Sequence, residues 1–227
     1  MYEALLFDLD DTLLDFQQAE YKALSSVHRL YFSSIPYTQF FHVFKTLNHF
    51  LWQGVNRQYW LPGFVEEKRF SYLLEEFSMN LESKNIESFY QSCLLKFTDW
   101  LPHAKEALIA LGKLYKIVIV TNGFTDIQKR KCQKMGLYDL IDLLIVSQEW
   151  GVSKPNPKIF QKAIESVGCY SEKALVIGDS LESDHKGAVN AGVDFCWVNI
   201  KKEKKEFGVS APKYEVSSIK ELIAILE

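Results

Sequence analysis

Short apolar segments alternate with helical segments along most of the chain, and this alternation is the strongest constraint on its fold. Five runs rich in β-branched and other apolar residues occur at 4–9, 116–121, 143–147, 174–179 and 195–199. Helical spacing of apolar residues occurs at 105–114, 126–135, 157–167, 183–191 and 217–226. Apolar runs of this length are typical of strands buried on both faces. Strands that alternate with helices predict an α/β fold with a Rossmann-like parallel sheet.

The interval between the first two predicted strands departs from this pattern. Residues 16–100 show only helical spacing, with breaks near Pro36, Gly54 and Pro62. The sequence therefore predicts an inserted all-α domain at 16–100, and an α/β core made of 1–15 and 101–227. The insertion carries 20 of the 32 aromatic residues (16 Phe, 11 Tyr and 5 Trp). Packing in a thin domain accounts for many of them, and the excess makes some of them candidates for lining a cleft.

Charge and composition argue against several classes of protein. The 227 residues include 26 Lys and Arg against 29 Asp and Glu, a net charge of −3, so no basic footprint for a nucleic acid polymer is present. The basic runs at 129–131 and 201–205 are expected to be solvated surfaces. The longest run without a charged residue, 30–44, contains Ser, Pro, Gln and His and does not fit a membrane helix.

The amino terminus and the cysteines bear on the compartment. The first residues lack the basic flank and long apolar region of a signal peptide. The four cysteines, Cys93, Cys132, Cys169 and Cys196, lie far apart and form no Cys-x-x-Cys pair. We therefore expect reduced core thiols and a cytoplasmic protein.

Acidic residues follow the first and fourth predicted strands. Asp8 and Asp10 lie two positions apart, so in an extended chain their carboxylates point the same way. Asp179 and Asp184 follow Gly178, which allows a sharp turn. In the common doubly wound strand order, 3-2-1-4-5, the first and fourth strands are neighbours, and the four carboxylates converge. Carboxylates without sulfur or histidine ligands suit a hard cation, Mg²⁺, with Mn²⁺ as the alternative.

Polar residues after the other strands are candidates for binding phosphate. Thr121 and Asn122 end the second predicted strand, and a hydroxyl, an amide and backbone N–H groups can hold phosphate oxygens. Lys154 precedes Pro155, which disfavours a helical conformation at the lysine. A lysine in a loop is usually solvated, but beside a carboxylate cluster it balances a phosphate and an ionised nucleophile. His185 is expected to be a surface residue or a helix cap.

Taken in order, these segments resemble the four motifs of the haloacid dehalogenase (HAD) superfamily of phosphohydrolases. The first motif matches Asp8-Leu9-Asp10-Asp11-Thr12, and the strand ending at Thr121 matches the second. Lys154 matches the third motif, and residues 178–184, Gly-Asp-Ser-Leu-Glu-Ser-Asp, match the fourth. The insertion at 16–100 falls where the family has its type C1 helical cap.

The resemblance implies a Mg²⁺-dependent phosphatase that works through an aspartyl-phosphate. Asp8 would be the nucleophile, and Asp10 the general acid and base. Thr121, Asn122 and Lys154 would hold the phosphate. The metal would be bound by Asp8, the backbone carbonyl of Asp10 and Asp179, with Asp184 in support. The substrate would be a small phosphomonoester.

A finer resemblance is to the bacterial pyrimidine 5′-nucleotidase subfamily, which implies a nucleoside 5′-monophosphate as substrate. It is carried by residues 121–125, 142–147 and 151–156 and by 47–48 and 51–52 in the insertion. Asn48, Trp52, Arg57 and Trp60 are the candidate specificity residues. The alternatives are core packing for the two tryptophans and simple exposure for Asn48 and Arg57.

Other functions stay open on the sequence. They are a sugar-phosphate phosphatase of the acylneuraminate-phosphate type, a phosphomutase and a non-catalytic phosphate binder. The sequence does not indicate an oligomeric state.

Overall fold

The computed structural model describes residues 1–204 and 210–226, and within these ranges six parallel strands form one sheet. The strands are β1 (Ala4–Phe7), β2 (Lys116–Thr121), β3 (Leu143–Val146), β4 (Ala174–Gly178), β5 (Asp194–Val198) and β6 (Tyr214–Val216). Their order is β3-β2-β1-β4-β5-β6. The predicted α/β class and the order 3-2-1-4-5 are confirmed. The sequence missed β6, which has only three residues and is too short for a periodicity signal.

The segment predicted as an insertion, residues 16–100 between β1 and β2, is helical. Its helices are α1 (Phe16–Tyr31), α2 (Tyr37–Asn56), α3 (Pro62–Glu76) and α4 (Ser83–Phe97). The Asp15 carboxylate caps α1 by accepting a hydrogen bond from the Gln18 N–H at 3.0 Å. Buried aromatic rings, among them Phe40, Phe44 and Tyr90, join these helices in one apolar cluster. Packing therefore accounts for many of the aromatic residues of this helical insertion.

Helices cover both faces of the sheet. They are α5 (Ala104–Leu111), α6 (Thr125–Lys134), α7 (Ser147–Trp150), α8 (Pro157–Ser166), α9 (Lys186–Ala191) and α10 (Lys220–Leu226). Alternate residues of β1 enter opposite clusters: Leu5 and Phe7 pack on the side of α5 and α10, and Leu6 packs on the side of α8 and α9. Burial on both faces explains why the strands read as continuous apolar runs.

Helix boundaries differ modestly from the sequence expectations. The segment predicted as one helix at 183–191 is a π-helical turn, Leu181–His185, followed by α9. Helix α10 begins three residues later than predicted, at Lys220. Helix α7 was not predicted, because its four residues follow β3 without a break. No helix in the described ranges is both long enough and apolar enough to cross a bilayer.

All four cysteines are free thiols. Cys93, Cys132 and Cys196 are buried and Cys169 is half-buried, which agrees with the expected core thiols for three of the four. Residues 201–204 of the second basic run are exposed, as expected of a solvated surface. Lys205 of that run lies outside the described residues.

Candidate active site

Three carboxylates meet at the carboxyl ends of β1 and β4. These strands are parallel neighbours, with Phe7 opposite Ile177, so the residues that follow them emerge side by side. Asp8 and Asp179 follow the strands directly, and Asp184 lies on the π-helical turn. One carboxylate oxygen from each lies within 4.8 Å of the others. The structure thus brings together three of the four acids that the sequence placed here.

Lys154 joins this acidic cluster. Its Nζ lies 2.5 Å from Asp8 Oδ1 and 2.6 Å from Asp184 Oδ1, and the residue is only 2% exposed. Its main chain is held by the Asn122 side chain, which accepts from the Lys154 N–H and donates to its carbonyl, both at 2.9 Å. Asn122, which the sequence assigned to phosphate, therefore uses its amide to position Lys154.

Gly178 makes room for Asp184. The sequence expected this glycine to allow a sharp turn, but it is not among the glycines with positive φ. A Cβ at Gly178 would lie 2.4 Å from Asp184 Oδ2, well inside van der Waals contact. The reason for glycine here is therefore the close approach of a carboxylate to the end of β4.

Asp10 belongs to a second polar cluster. The strand ends before it, and Asp11 has a left-handed φ of 61°, so the extended conformation assumed from the sequence does not persist. The Asp10 carboxylate accepts bonds from Lys131 Nζ at 2.8 and 2.9 Å and from Gln128 Nε2 at 3.0 Å. Gln128 Nε2 also lies 2.8 Å from Thr121 Oγ1. One amide therefore links the acid to the predicted phosphate-binding hydroxyl.

Lys131 corrects the expectation that residues 129–131 form a solvated surface. Lys129 and Arg130 are exposed, but Lys131 is 3% exposed. The signal lay in helical geometry: at 100° per residue, positions 127, 128, 131 and 132 share an arc of about 140°. The apolar residues Ile127 and Cys132 mark that arc as the buried face of α6.

Burial and like charges shift the titration of the acidic cluster. Burial, together with the negative charges of Asp184 and Asp10, raises the pKa of Asp8 to about 7, although Lys154 opposes the shift. Burial and the nearby Asp8 raise the pKa of Asp179 well above its usual value. Burial disfavours the charge of Lys154, but Asp184 and Asp8 more than offset it and raise its pKa.

The cluster fits a divalent cation. Buried carboxylates this close together are costly unless a cation neutralises them, and one lysine offsets only one of the three charges. The donor set is all oxygen, which Mg²⁺ prefers. Asp8, Asp179 and Asp184 could therefore hold such an ion at the edge of the sheet.

A cavity of about 450 Å³ joins these groups to the helical insertion. The sheet side supplies Asp8, Asp10, Asp179, Thr121 and Lys154, and the insertion supplies His49, Trp52, Asn56, Arg69 and Leu94. Of the candidate specificity residues, Trp52 lies on this wall, and its ring stacks on Phe124 at 5.9 Å and 18°.

The other three candidates do not line this cavity in the part of the chain that the structure describes. Arg57 is exposed, and Asn48 is buried in α2. The Trp60 indole donates to the Leu51 carbonyl at 2.9 Å and packs against Gly54. For Trp60 the packing alternative is therefore the observed role.

His185 is another correction. It was expected to be a surface residue or a helix cap, and it occupies the N-cap position of α9 without a capping hydrogen bond from its side chain. It is not at the surface, because it is 2% exposed and its ring lies 4.9 Å from that of Phe195. It follows Asp184 on the π-helical turn, which carries it inward with that acid.

Polar contacts tie the insertion to the sheet region beside the cavity. The Glu182 carboxylate accepts from Gln53 Nε2 at 3.1 and 3.2 Å and from Asn56 Nδ2 at 2.9 Å. Gln58 Nε2 donates to Ser153 Oγ at 3.2 Å. These contacts bring α2 close to the loops after β3 and β4.

The fold and the site together define an α/β protein with an acidic site at the carboxyl edge of a parallel sheet, faced by inserted helices. The chain belongs to the haloacid dehalogenase-like hydrolase family, whose model matches residues 5–198.

Individual relatives are similar over their full length. The chain is 34% identical to the HAD hydrolase YfnB of Bacillus subtilis (99% of this chain, 95% of YfnB). It is 32% identical to the pyrimidine 5′-nucleotidase YjjG of Escherichia coli (99% and 98%) and 31% identical to the pyrimidine 5′-nucleotidase PynA of Streptococcus pneumoniae (100% and 95%). These matches confirm the resemblance that the motifs indicated.

The fold is also similar to that of a solved structure. The crystal structure of YfnB bound to magnesium has a TM-score of 0.87 at 32% identity, covering 100% of this chain and 99% of that one.

Proposed function

We propose that this protein is a Mg²⁺-dependent phosphomonoesterase that hydrolyses nucleoside 5′-monophosphates through an aspartyl-phosphate. The observation that carries the proposal is the pairing of Lys154 with Asp8 inside a buried acidic cluster at the floor of the cavity. The similarity to two named pyrimidine 5′-nucleotidases supports the nucleotide substrate.

Asp8 is the proposed nucleophile. Its carboxylate oxygen attacks phosphorus, the bond to the leaving-group oxygen breaks, and the phosphoryl group is transferred to Asp8. Water then attacks the phosphorus of the aspartyl-phosphate and releases phosphate and free Asp8. Lys154 lies against Asp8, where its charge favours the carboxylate that attacks and stabilises the incoming phosphate.

Asp10 is the proposed general acid and base. It protonates the leaving oxygen in the first half-reaction and takes a proton from water in the second. Lys131 and Gln128 fix the direction of its carboxyl group.

A divalent cation would be held by the Asp8 and Asp179 carboxylates and the Asp10 backbone carbonyl, with Asp184 in support. When bound, it supplies positive charge that stabilises the negative charge developing on the transferred phosphoryl group. Thr121 would complete the phosphate site beside Lys154.

The helical insertion is proposed to act as a cap domain spanning residues 16–100, with 1–15 and 101–227 as the catalytic core. The contacts of Glu182 with α2 support a closed arrangement that keeps water from the acidic cluster. The free thiols fit a reducing compartment, which supports the expected cytoplasmic location.

Phosphate release from UMP and from phenyl phosphate tests this proposal. We expect hydrolysis of both with Mg²⁺, loss of activity with EDTA and recovery on adding Mg²⁺ back. Asp8→Asn should lower kcat by about a thousandfold or more, because it removes the attacking oxygen charge. The exposed Asp126→Asn is the matched control and should stay within about twofold of wild type.

Each alternative gives a different result in the same assay. Full activity of Asp8→Asn refutes the nucleophile assignment. Binding of UMP without phosphate release indicates a phosphate binder, and transfer of phosphate between sugar positions indicates a phosphomutase. A preference of more than about tenfold for sugar phosphates over all nucleotides replaces the nucleotide substrate with a sugar phosphate.

A further inference from the structure

Arg69 is a buried cation on the insertion side of the cavity, and none of the steps above uses it. It lies on α3, is 3% exposed, and belongs to the cavity lining together with Asp8 and Lys154. A guanidinium out of water is costly unless its charge and its donors are matched. The hydrogen bonds of Arg69 to the protein therefore show which of its donors remain for a bound molecule.

Glu87 on α4 neutralises Arg69. The guanidinium Nε donates to Glu87 Oε2 at 2.7 Å, and Nη2 donates to Oε1. Gln91 Nε2 also donates to Glu87 Oε1 at 2.7 Å and so fixes the carboxylate from a third side. The pair has no net charge, and Arg69 is held in one orientation.

Glu87 does not use all of the guanidinium nitrogens of Arg69. Within the described ranges, the hydrogen bonds from Arg69 use Nε and Nη2, and Nη1 has no acceptor. Arg69 belongs to the cavity lining, so a donor that its protein contacts leave unused can serve a molecule bound there.

Aromatic rings pack against the Arg69 guanidinium. The Arg69 Cζ lies 4.5 Å from the centroid of the Tyr90 ring and 5.2 Å from that of Phe124. Phe124 in turn stacks on Trp52, and Leu94 belongs to the same lining. Tyr90 is fully buried and is not part of the cavity lining, whereas Trp52, Leu94 and Phe124 are. A ring seated here would pack against the latter three side chains and meet an N–H donor.

We propose that Arg69 is a specificity-determining residue that donates a hydrogen bond from Nη1 to a neutral carbonyl oxygen on a flat ring of the leaving group. The inference rests on the proposed phosphomonoesterase function and narrows its substrate class to esters such as oxo-pyrimidine nucleotides. The neutrality of the Arg69–Glu87 pair carries the choice. An anionic leaving group would be stabilised best by a cation that no carboxylate neutralises, and Arg69 is not such a cation. A neutral carbonyl oxygen needs only an N–H donor, which Arg69 supplies.

Kinetics with two substrates separate this role from a structural one. UMP carries ring carbonyls, and phenyl phosphate is a flat ester without them. The test variant is the double substitution Arg69→Met with Glu87→Gln, which removes the donor without leaving a buried charge. We expect KM for UMP to rise about ten- to a hundredfold with kcat within about threefold. The kcat/KM for phenyl phosphate should change by less than about threefold.

Two further variants guard the result. Arg69→Lys keeps the charge but lacks the forked donors, and should still lose UMP selectivity. Lys68→Gln changes the neighbouring half-exposed position on α3, and should leave both substrates unchanged. Thermal unfolding of each variant checks that the helical insertion stays folded.

The outcomes are distinguishable from failure of the proposed function. Equal losses for both substrates, or no loss for either, overturn the role of Arg69 while the phosphatase stands. A wild-type preference of more than about tenfold for N-acetylneuraminate 9-phosphate over UMP overturns the neutral-acceptor class, again with the phosphatase intact. If the wild-type protein hydrolyses none of the three esters, the proposed function and this inference both fall.

Discussion

The two sides of the cavity hold their buried cations by different means. On the sheet side, Lys154 is held by a loop whose main chain is fixed by Asn122, at the end of a neighbouring strand. On the insertion side, Arg69 is held by Glu87 from an adjacent helix. Strand ends converge because the sheet topology requires it, whereas two helix faces meet only where their packing brings them together.

The comparison teaches which part of the site tolerates change. Strand register fixes the acidic cluster, so its geometry follows from the whole sheet. The insertion wall depends on the packing of α2, α3 and α4, which can be altered without touching the sheet. We expect the chemistry to depend on the first side and the choice of leaving group on the second.

Lys131→Met gives the largest effect among variants that leave the acidic cluster intact. It removes the cation that holds both oxygens of Asp10, so we expect kcat to fall about ten- to a hundredfold for UMP and phenyl phosphate alike. The matched control is Lys129→Met on the exposed face of α6, for which steady-state kinetics should stay within about twofold. A loss confined to UMP would place Lys131 on the leaving-group side and break the comparison.

Two glycines sharpen the comparison, because each makes room for a side chain. A Cβ at Gly178 would lie 2.4 Å from Asp184 Oδ2, and one at Gly54 would lie 2.0 Å from the Trp60 ring. We expect Gly178→Ala to raise the Mg²⁺ concentration for half-maximal activity about tenfold, because Asp184 must move. Gly54→Ala should lower Tm by several degrees and leave the Mg²⁺ requirement unchanged.

A titration of activity against Mg²⁺, together with a melting curve, measures both glycine variants. An unchanged Mg²⁺ requirement in Gly178→Ala would show that Asp184 does not support the cation.

Glu182→Ala gives the smallest expected effect. It removes the acceptor that ties α2 to the loop after β4, but the contact is exposed, and exposed polar contacts contribute little. We expect kcat/KM for UMP to fall about two- to fivefold, with more frequent opening of the insertion seen as faster hydrogen exchange in α2. No change in either measurement would mean that other contacts keep the insertion closed.

The sequence predicted the sheet side of the site well. Asp8 and Asp179 directly follow strands, and Asp184 and Lys154 lie in the segments after β4 and β3. The apolar signals that define strands also define where they end. Asp10 lies near the acidic cluster, but its carboxylate does not join the other three as the sequence predicted. The sequence around Asp11 gave no signal of the left-handed conformation there. Lys131 was overlooked because its basic neighbours made it resemble surface.

The insertion wall was predicted poorly, and for a physical reason. Helical spacing shows that a face is buried but not what it is buried against. Trp52 and Trp60 are both tryptophans of the insertion, yet one lines the cavity and the other packs against Gly54. Arg69 carries no motif, and only the pairing of α3 with α4 reveals that its charge is neutralised at the cavity wall.

Gln128 has a consequence for how substitutions combine. Its amide bridges the Asp10 carboxylate and the Thr121 hydroxyl, and the absence of a side chain at Gly123 lets it approach. A change at either end of this bridge frees the amide to reorient toward the other. The losses of activity caused by substituting Asp10 and Thr121 should therefore not be additive. A double-mutant cycle with these two residues would measure the coupling that Gln128 mediates.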